Sequence, residues 1–258
     1  LFRSEQGAGP ETIVFAHGLF WSGQLYDNQV AELKNKYRCI TFDFRGQGQS
    51  EVTRSGYDMD TLYQDAIALI EALNCAPCHF AGLSMGGFVG MRIAFRNPEL
   101  LRSLILMETS ADTEPDENLI KYRLLNFIAR WLGLNILTGQ IMPVMFGRKF
   151  LNDPARKVLK EQLRQKIAAN DRKGITRAMK GVIERKGVFE EIKQIKTPAL
   201  IIAGDQDIAT VPAKSERIHS QIAGSKLVII PGAGHTSTLE EPEAVNKCII
   251  EFLNRQRK

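Results

Sequence analysis

Six short apolar runs, rich in β-branched residues, alternate with longer patterns of helical period along this chain. Each run is nearly continuous in apolar side chains, which is typical of strands buried on both faces of a sheet. Strands that alternate with helices predict βαβ units, and therefore an α/β fold with a mostly parallel sheet and helices on both of its faces. The predicted strands cover residues 12–16, 38–42, 79–83, 103–107, 199–203 and 226–230, and the predicted helices about 22–34, 59–73, 85–96, 212–222 and 242–253.

The alternation stops after Met107, and residues 110–195 carry helical patterns only. We therefore expect a core domain of residues 1–109 and 196–258, with an all-helical domain of residues 110–195 inserted between two strands. Three apolar stripes mark its helices, and we expect the first to pack over the pocket rather than face lipid, because amphipathic helices usually bury that face. The stripes are Ile120, Leu124, Phe127, Ile128 and Trp131; Leu159, Leu163 and Ile167; and Ile175, Ala178, Met179, Val182 and Ile183.

Composition excludes several classes of protein. The 258 residues are 44 % hydrophobic and 24 % charged, which are values of a globular chain rather than a disordered or fibrous one. Four cysteines speak against a disulfide scaffold and favour a reducing, cytoplasmic compartment. The most apolar stretch, residues 127–146, is interrupted by Arg130 and Pro143, so we expect no membrane span, and no signal peptide pattern opens the sequence.

The net charge of +5 is unevenly distributed. Residues 114–196 hold 18 Lys and Arg against 9 Asp and Glu, a local charge of +9, while the rest hold 16 against 20, a charge of −4. Solvated helix faces explain most such patterns, and an anionic substrate or partner is the alternative. The basic segment lacks a nucleic-acid-binding motif and interleaved aromatic residues, so we expect no nucleic-acid partner.

Residues 82–86, Gly-Leu-Ser-Met-Gly, match the pattern G-x-S-x-G between a predicted strand and a predicted helix. A serine at a sharp strand-to-helix turn crowds its neighbours, and glycines two residues to either side relieve the crowding. The turn places the Ser84 hydroxyl at a helix N-terminus, where negative charge is stabilised. We therefore predict that Ser84 is a nucleophile; the alternative is a helix-capping serine in a glycine-rich turn.

A serine nucleophile needs a general base, and the sequence offers four histidines. His79 lies inside a strand and His219 on a polar helix, while His17 precedes Gly18 in a predicted turn. His235 lies in a glycine-rich loop after the last predicted strand, where open α/β sheets build their sites. His235 is therefore the predicted base.

The base needs a carboxylate that orients it, and two aspartates follow the predicted strand 199–203. Asp207 is favoured, because the order Ser, Asp, His suits this fold. We expect Asp205 to bind backbone N–H groups within the loop, as turn aspartates do. Glu108 and Asp112, which follow the preceding strand, are the alternatives.

Acyl transfer also needs two preset hydrogen-bond donors for the oxyanion. The backbone N–H of Met85, at the start of the helix, is one, and the N–H of Leu19, in the loop after the first strand, is the other. Gly18 lets that loop approach closely. The Leu19, Phe20, Trp21 and Met85 side chains are expected to line an apolar acyl pocket, with ordinary core packing the alternative for Trp21.

Two further patterns are assigned no catalytic or binding role. Cys75 and Cys78 form a C-x-x-C pair, but it lies between a helix and a strand and has no further metal ligands nearby. Residues 46–48 lack the third glycine of a dinucleotide-binding turn, so Asp43 and Arg45 are expected to fix local structure there. We expect neither a metal nor a cofactor.

Taken together, these residues resemble the α/β-hydrolase superfamily across nearly the whole chain, and more narrowly its 3-oxoadipate enol-lactonases, esterases and cofactor-free perhydrolases. The resemblance implies that the helical insertion is a cap over the site and supports Asp207 as the acid and Leu19 and Met85 as the oxyanion donors. The motifs that carry it are His-Gly at 17–18, Asp-Phe-Arg-Gly-Gln-Gly-Gln-Ser at 43–50, Gly-Leu-Ser-Met-Gly-Gly at 82–87, Asn-Pro-Glu at 97–99, Gly-Asp-Gln-Asp at 204–207, Gly-Ala-Gly-His at 232–235 and Glu-Pro-Glu at 241–243.

This sequence also departs from the family pattern. Eleven residues precede Thr12, so we expect the strand that relatives carry ahead of it to be missing or trimmed. Gln47 stands where many relatives have His, which is expected to affect turn structure rather than chemistry. Enol-lactonases often lack the His-Gly pair, which favours a general esterase, and Ser84 speaks against the epoxide hydrolases and dehalogenases, which use Asp.

The prediction is a cytoplasmic serine hydrolase that cleaves small carboxylic esters or lactones without a cofactor. Ser84 is the nucleophile, His235 the base and Asp207 its orienting acid. Carbon–carbon bond hydrolases of β-diketone-like acids share this set of residues and are one alternative, since a fold does not determine a function. A ligand sensor with slow turnover, docking through its basic cap, is another.

Overall fold

The protein, here a computed structural model that describes residues 1–256, contains a seven-stranded sheet with the order β1-β3-β2-β4-β5-β6-β7. All neighbouring strands run parallel except β1, which runs antiparallel to β3. The six predicted strands are confirmed, with small changes at their ends. The strands are β1 Arg3–Gln6, β2 Glu11–Ala16, β3 Tyr37–Phe42, β4 Cys78–Leu83, β5 Leu101–Met107, β6 Ala199–Gly204 and β7 Lys226–Ile230.

Strand β1 lies ahead of Thr12, so the expectation that this strand is missing is wrong. It pairs from Arg3 opposite Phe42 to Gln6 opposite Cys39 at the edge of the sheet. Its four residues are exposed and none is apolar. An exposed edge strand needs no buried face, so hydrophobic periodicity does not reveal it.

Helices cover both faces of the sheet, as predicted. The first of them begins later than expected, because a 3-10 turn at Gly23–Tyr26 precedes it. The helices are α1 Asp27–Leu33, α2 Met59–Ala72, α3 Met85–Arg96, α4 Asp116–Leu132, α5 Thr138–Met145, α6 Arg148–Asn152, α7 Lys157–Ala168, α8 Arg172–Ile183, α9 Pro212–Gln221, α10 Ser237–Glu240 and α11 Pro242–Gln256.

The sheet separates two hydrophobic cores. Along β2, Ile13 and Phe15 belong to one core and Val14 and Ala16 to the other, as the two-residue period of a strand requires. Helices α1 and α11 close the first core, and α2, α3 and α9 close the second. Burial on both faces explains why these strands are apolar throughout.

The segment between β5 and β6 contains the helices α4 to α8, and we call residues 110–195 the helical insertion. The second and third predicted stripes bury most of their members, with Ile167 and Ile175 fully inaccessible. The first stripe behaves differently: Ile128 is half-buried, but Ile120, Leu124, Phe127 and Trp131 are exposed. The expectation that this stripe packs over the pocket is therefore wrong for these four residues.

Helix α4 turns its other face inward. Ala129 on that face is fully buried, and Leu125 packs against the first core. Helix α4 lies along α8, which presents its own apolar side inward. Within residues 1–256, the structure contains no helix with both the length and the apolar character needed to cross a membrane.

Candidate active site

The proposed site residues follow strands that end at the same edge of the sheet. Leu19 follows β2, Ser84 follows β4, Asp207 follows β6 and His235 follows β7. Because these strands are parallel, their carboxyl ends lie together, which is where open α/β sheets bind ligands. The fold thereby brings residues that are distant in the chain to one place.

Ser84 occupies a strained turn between β4 and α3. Its backbone has φ +51° and ψ −110°, a conformation that L residues rarely adopt. A Cβ at Gly82 would lie 2.3 Å from the Gly86 carbonyl oxygen, and one at Gly86 would lie 2.0 Å from the Ala16 carbonyl oxygen. The two glycines of the pattern are therefore required sterically, and the hydroxyl sits at the N-terminus of α3.

His235 and Asp207 are in direct contact. His235 Nδ1 lies 2.8 Å from Asp207 Oδ2, and both side chains are almost completely buried. The Thr210 hydroxyl donates to the same oxygen at 2.7 Å, and the backbone N–H groups of Ala209 and Thr210 donate to Oδ1. Burial alone raises the pKa of Asp207, but the His235 charge and these hydrogen bonds outweigh it and lower the pKa overall.

The alternative acids lie elsewhere. Asp205 accepts the Gly232 backbone N–H at 2.6 Å, which is the loop role predicted for it. Asp112 forms ion pairs with Lys214 and Arg217. Among the hydrogen bonds of residues 1–256, those of the His235 ring involve Asp207 and Thr210, and Glu108 takes no part in them. Asp207 is thus the carboxylate that the fold brings to His235.

The other histidines are held in structural positions, as predicted. His17 Nε2 accepts the Phe44 backbone N–H at 3.0 Å, so Nδ1 carries the proton and donates to the Gly18 carbonyl at 2.7 Å. Burial lowers the pKa of His17 to about 4. His79 lies in the core with Nδ1 2.7 Å from Ser103 Oγ, and His219 lies on the exposed helix α9.

Ser84 and His235 line the same cavity, of about 170 Å³, between the sheet edge and the helical insertion. Among the hydrogen bonds of residues 1–256, none joins Ser84 to His235. The two side chains therefore face the same cavity but are not hydrogen-bonded to each other. The walls are mainly apolar. Lining side chains from the insertion include Leu125, Leu137, Ile141, Val144, Met145, Met179, Val182 and Ile183, with the polar Glu114, Tyr122, Gln140 and Arg185.

Two backbone N–H groups beside Ser84 have no acceptor within the described chain. Met85 is the first residue of α3, where the N–H has no helical partner. The second group is the N–H of Leu19, for which no acceptor is found among residues 1–256. The neighbouring Phe20 N–H donates to Gln47 Oε1 at 2.9 Å, and Phe20 has φ +74°, so this loop is held in an unusual conformation. A Cβ on Gly18 would lie 3.3 Å from Ser84 Cβ, which confirms the close approach expected there.

The predicted pocket lining needs a correction. Leu19 and Phe20 line the cavity with Ser84, but Gly18, Trp21 and Met85 do not, and the Met85 side chain is buried in the second core. Trp21 is buried and packs edge-on against Phe146, with ring centroids 6.0 Å apart. Its ring points toward the first core rather than the site because the backbone turns at Phe20, a change of direction that residue type does not signal.

Three further residues hold the site together, and the sequence patterns assign none of them this role. Thr210 binds the Asp207 carboxylate, Gln47 holds the loop of Leu19, and Glu240 accepts backbone N–H groups of Gly147, Gly234 and Thr236 at 2.7–3.0 Å. The predicted role of Gln47 in turn structure thus extends to the loop of a proposed oxyanion donor. A threonine three residues after an aspartate is a weak signal of a hydrogen-bonded turn, whereas no pattern marks Glu240 as buried.

Two buried carboxyl groups, those of Glu108 and Glu240, lie near the proposed site. Burial raises the pKa of Glu240 to about 7, although its three backbone donors favour the charged form. Burial also raises the pKa of Glu108 well above its ordinary value, and the charges of Asp207 and Glu240 add to this effect. Both effects favour the uncharged form of Glu108.

Known proteins are similar to this chain over most of its length. The profile of the alpha/beta hydrolase family matches residues 13–247. The chain is 28 % identical over 243 residues to 3-oxoadipate enol-lactonase 2 of Acinetobacter baylyi, covering 94 % of this chain and 88 % of that protein.

Two solved structures are similar over nearly their whole length. An esterase from Thermogutta terrifontis superposes with a TM-score of 0.92 at 26 % identity, covering 100 % of this chain and 94 % of the other. The enol-lactonase from Burkholderia xenovorans LB400 superposes with a TM-score of 0.91 at 27 % identity, covering 98 % and 96 %. The fold is that of an α/β hydrolase. The chain belongs to the alpha/beta hydrolase family.

Proposed function

We propose that this protein is a serine hydrolase that cleaves small carboxylic esters or lactones. The observation that carries the proposal is the placement of Ser84 on its strained turn beside one cavity with His235, whose Nδ1 is 2.8 Å from Asp207. The esterase and enol-lactonase names of similar proteins support the same reaction class. The buried free cysteines Cys39, Cys75 and Cys78 support a reducing, cytoplasmic setting.

In the proposed reaction, Ser84 Oγ attacks the carbonyl carbon and its proton passes to His235 Nε2. Asp207 holds the imidazole with Nδ1 protonated and stabilises its positive charge. The N–H groups of Leu19 and Met85 bind the oxyanion, each contributing about 2.7–4 kcal/mol to the transition state. His235 returns the proton to the departing alcohol and then activates water, which releases the acyl group.

The cavity limits the substrate by shape and polarity. Its volume of about 170 Å³ and mainly apolar walls favour a short to medium acyl or alcohol group without charge. The helical insertion supplies most of these walls, so we propose that residues 110–195 act as the cap domain. Acyl-chain preference then depends on side chains such as Leu137 and Val144.

Hydrolysis of p-nitrophenyl esters from acetate to octanoate tests the proposal. We expect turnover that declines once the acyl chain exceeds the cavity, and loss of turnover in Ser84→Ala. Ser220→Ala, the same change on the exposed face of α9, is the matched control and keeps wild-type rates. Wild-type turnover in Ser84→Ala would overturn the proposed mechanism.

Carbon–carbon hydrolysis of β-diketone-like acids is a second candidate, favoured by one observation. Arg185 lines the cavity that contains Ser84, and a cation there suits a substrate carboxylate. Its guanidinium, however, pairs with Glu114 Oε2 at 2.9 Å and lies 4.6 Å from the centroid of the Phe88 ring. The paired carboxylate balances the charge, which favours uncharged substrates.

The two candidates differ in how they depend on Arg185. For an uncharged ester, Arg185→Met leaves KM within about threefold of wild type, since no ionic contact with substrate is lost. For an acylpyruvate, a β-diketone acid, the same change raises KM by at least about tenfold. If the wild type turns over the acylpyruvate and Arg185→Met raises its KM in this way, carbon–carbon hydrolysis is favoured over ester hydrolysis.

A further inference from the structure

The outer face of α4 presents four large apolar side chains to solvent. Ile120, Leu124, Phe127 and Trp131 are 81 %, 58 %, 62 % and 64 % exposed. Their spacing of four, three and four residues places them in one line along the helix, which we call the α4 stripe. A contiguous exposed apolar surface of this kind indicates a binding surface.

Basic side chains flank the α4 stripe. With 3.6 residues per turn, Lys121 lies to one side of the stripe and Arg123 and Arg130 to the other, each about 70–90° around the helix from its centre. None of the ion pairs found within residues 1–256 includes any of the three. The acidic residues of the helix, Asp116 and Glu117, are confined to its first turn.

The neighbouring helix extends this charge. Helix α8 packs along α4 and exposes Arg172, Lys173 and Lys180. Residues 114–196 as a whole hold 18 basic and 9 acidic residues, while the rest of the chain is net acidic. Apolar side chains between basic ones are the pattern of helices that lie in a membrane interface.

The same helix forms a wall of the cavity. Tyr122 and Leu125, on the opposite face of α4 from the stripe, line the cavity with Ser84. A surface bound to the α4 stripe would therefore be separated from the cavity by about one helix diameter, roughly 10 Å. Docking there would bring an apolar substrate close to the site.

We propose that the α4 stripe docks on a lipid surface with anionic headgroups, with α4 lying in the interfacial plane. The apolar side chains enter the acyl boundary while Lys121, Arg123 and Arg130 contact the headgroups. A second copy of the chain fits this face less well, because a twofold interface would set the same basic flanks against each other. This docking does not depend on the proposed reaction.

Co-sedimentation with vesicles tests the proposal. We expect binding to phosphatidylcholine vesicles that contain phosphatidylglycerol, little binding to phosphatidylcholine alone, and weaker binding as salt is raised. Ile120→Ser/Phe127→Ser lowers the partition coefficient at least about tenfold. The matched control is Val158→Ser/Leu159→Ser, which removes two exposed apolar side chains from α7 and leaves binding unchanged.

Trp131 supplies a second signal. The chain has two tryptophans, of which Trp21 is 5 % exposed and Trp131 is 64 % exposed, so a blue shift of emission on vesicle binding reports Trp131. Trp131→Phe abolishes that shift, and Ser84→Ala binds like the wild type. Absence of binding to anionic vesicles, or a stable dimer that Ile120→Ser/Phe127→Ser dissociates, would overturn the proposal.

Discussion

Glu240 Oε2 accepts the backbone N–H of Gly147 at 2.7 Å, across 93 positions of the chain. The same carboxylate accepts the N–H groups of Gly234 and Thr236, on either side of His235. One buried side chain therefore ties the helical insertion to the loop that presents the proposed base. The position of that loop depends on a residue that does not line the cavity.

Glu240→Gln should change both stability and its pH dependence. The pKa of Glu240 is raised by burial from its ordinary value of 4.5 to about 7, so between these values the folded state holds a proton that the unfolded chain releases. Its contribution to the free energy of unfolding is therefore fully present below pH 4.5 and falls as pH rises to about 7, by on the order of 3 kcal/mol.

The glutamine variant lacks this slope and also loses an acceptor, which costs about 1–3 kcal/mol. Chemical denaturation measured between pH 4.5 and about pH 8 reports both effects. Glu241→Gln, the same change at a side chain paired with Lys149, is the control and keeps the slope. An unchanged slope in Glu240→Gln would show that another group titrates in this range.

Glu108→Gln is expected to stabilise the protein above neutral pH. Burial raises the pKa of Glu108, and the Ser237 hydroxyl, which favours the charged form, does not offset this effect. In the unfolded chain Glu108 ionises above its ordinary pKa of 4.5, whereas in the folded state it keeps its proton to higher pH. The free energy of unfolding of the wild type therefore falls as pH rises.

Because glutamine cannot ionise, the free energy of unfolding of Glu108→Gln should exceed that of the wild type near pH 8 and match it near pH 4.5. Denaturation curves at the two pH values measure the difference. Glu216→Gln, at an exposed position of α9, should show no such gap. A glutamine variant that is less stable at both pH values would contradict the expectation.

Asp207→Asn is expected to lower kcat for p-nitrophenyl esters by about 10³- to 10⁴-fold, because the amide no longer favours the imidazolium or the required tautomer of His235. The asparagine keeps an oxygen for the N–H groups of Ala209 and Thr210, so the loop should fold. Asp205→Asn, two residues earlier, affects only the contact to Gly232 and should stay within about tenfold of wild type. Equal losses in both variants would count against a special role for Asp207.

Gln47→Met tests whether the loop of Leu19 is a positioned oxyanion donor. The Phe20 N–H donates to Gln47 Oε1 at 2.9 Å, and methionine removes this acceptor. Because the loop of Leu19 is then no longer held in place, kcat should fall by about 10- to 100-fold with little change in KM. Gln49→Met, an exposed neighbour, is the control. Steady-state kinetics with a thermal melt of each variant separates misplacement from unfolding, and a change confined to KM would argue against the role.

Local sequence patterns are sufficient to predict much of the fold and of the site. Six strands are marked by continuous apolar runs because both faces of the sheet are covered, and the serine turn is marked because only glycine fits at residues 82 and 86. Asp207 and His235 are predictable because each follows a strand at the same edge.

Other features depend on partners that are distant in the chain. Neither the burial of Glu240 nor its three backbone donors can be inferred from its neighbours in sequence. The exposed edge strand β1 has no apolar signature, and Trp21 turns from the cavity into the core because of the backbone at Phe20.

The amino-acid sequence by itself determined the α/β architecture, the nucleophile turn and the order of the three proposed catalytic residues, since periodicity and glycine sterics are local properties. Only the tertiary structure decided which face of α4 is buried. Apolar side chains line both sides of that helix, with Leu125 toward the cavity and Phe127 toward solvent. Whether a face of a helix is buried depends on what packs against it. Only one side of α4 packs against α8 and the first core.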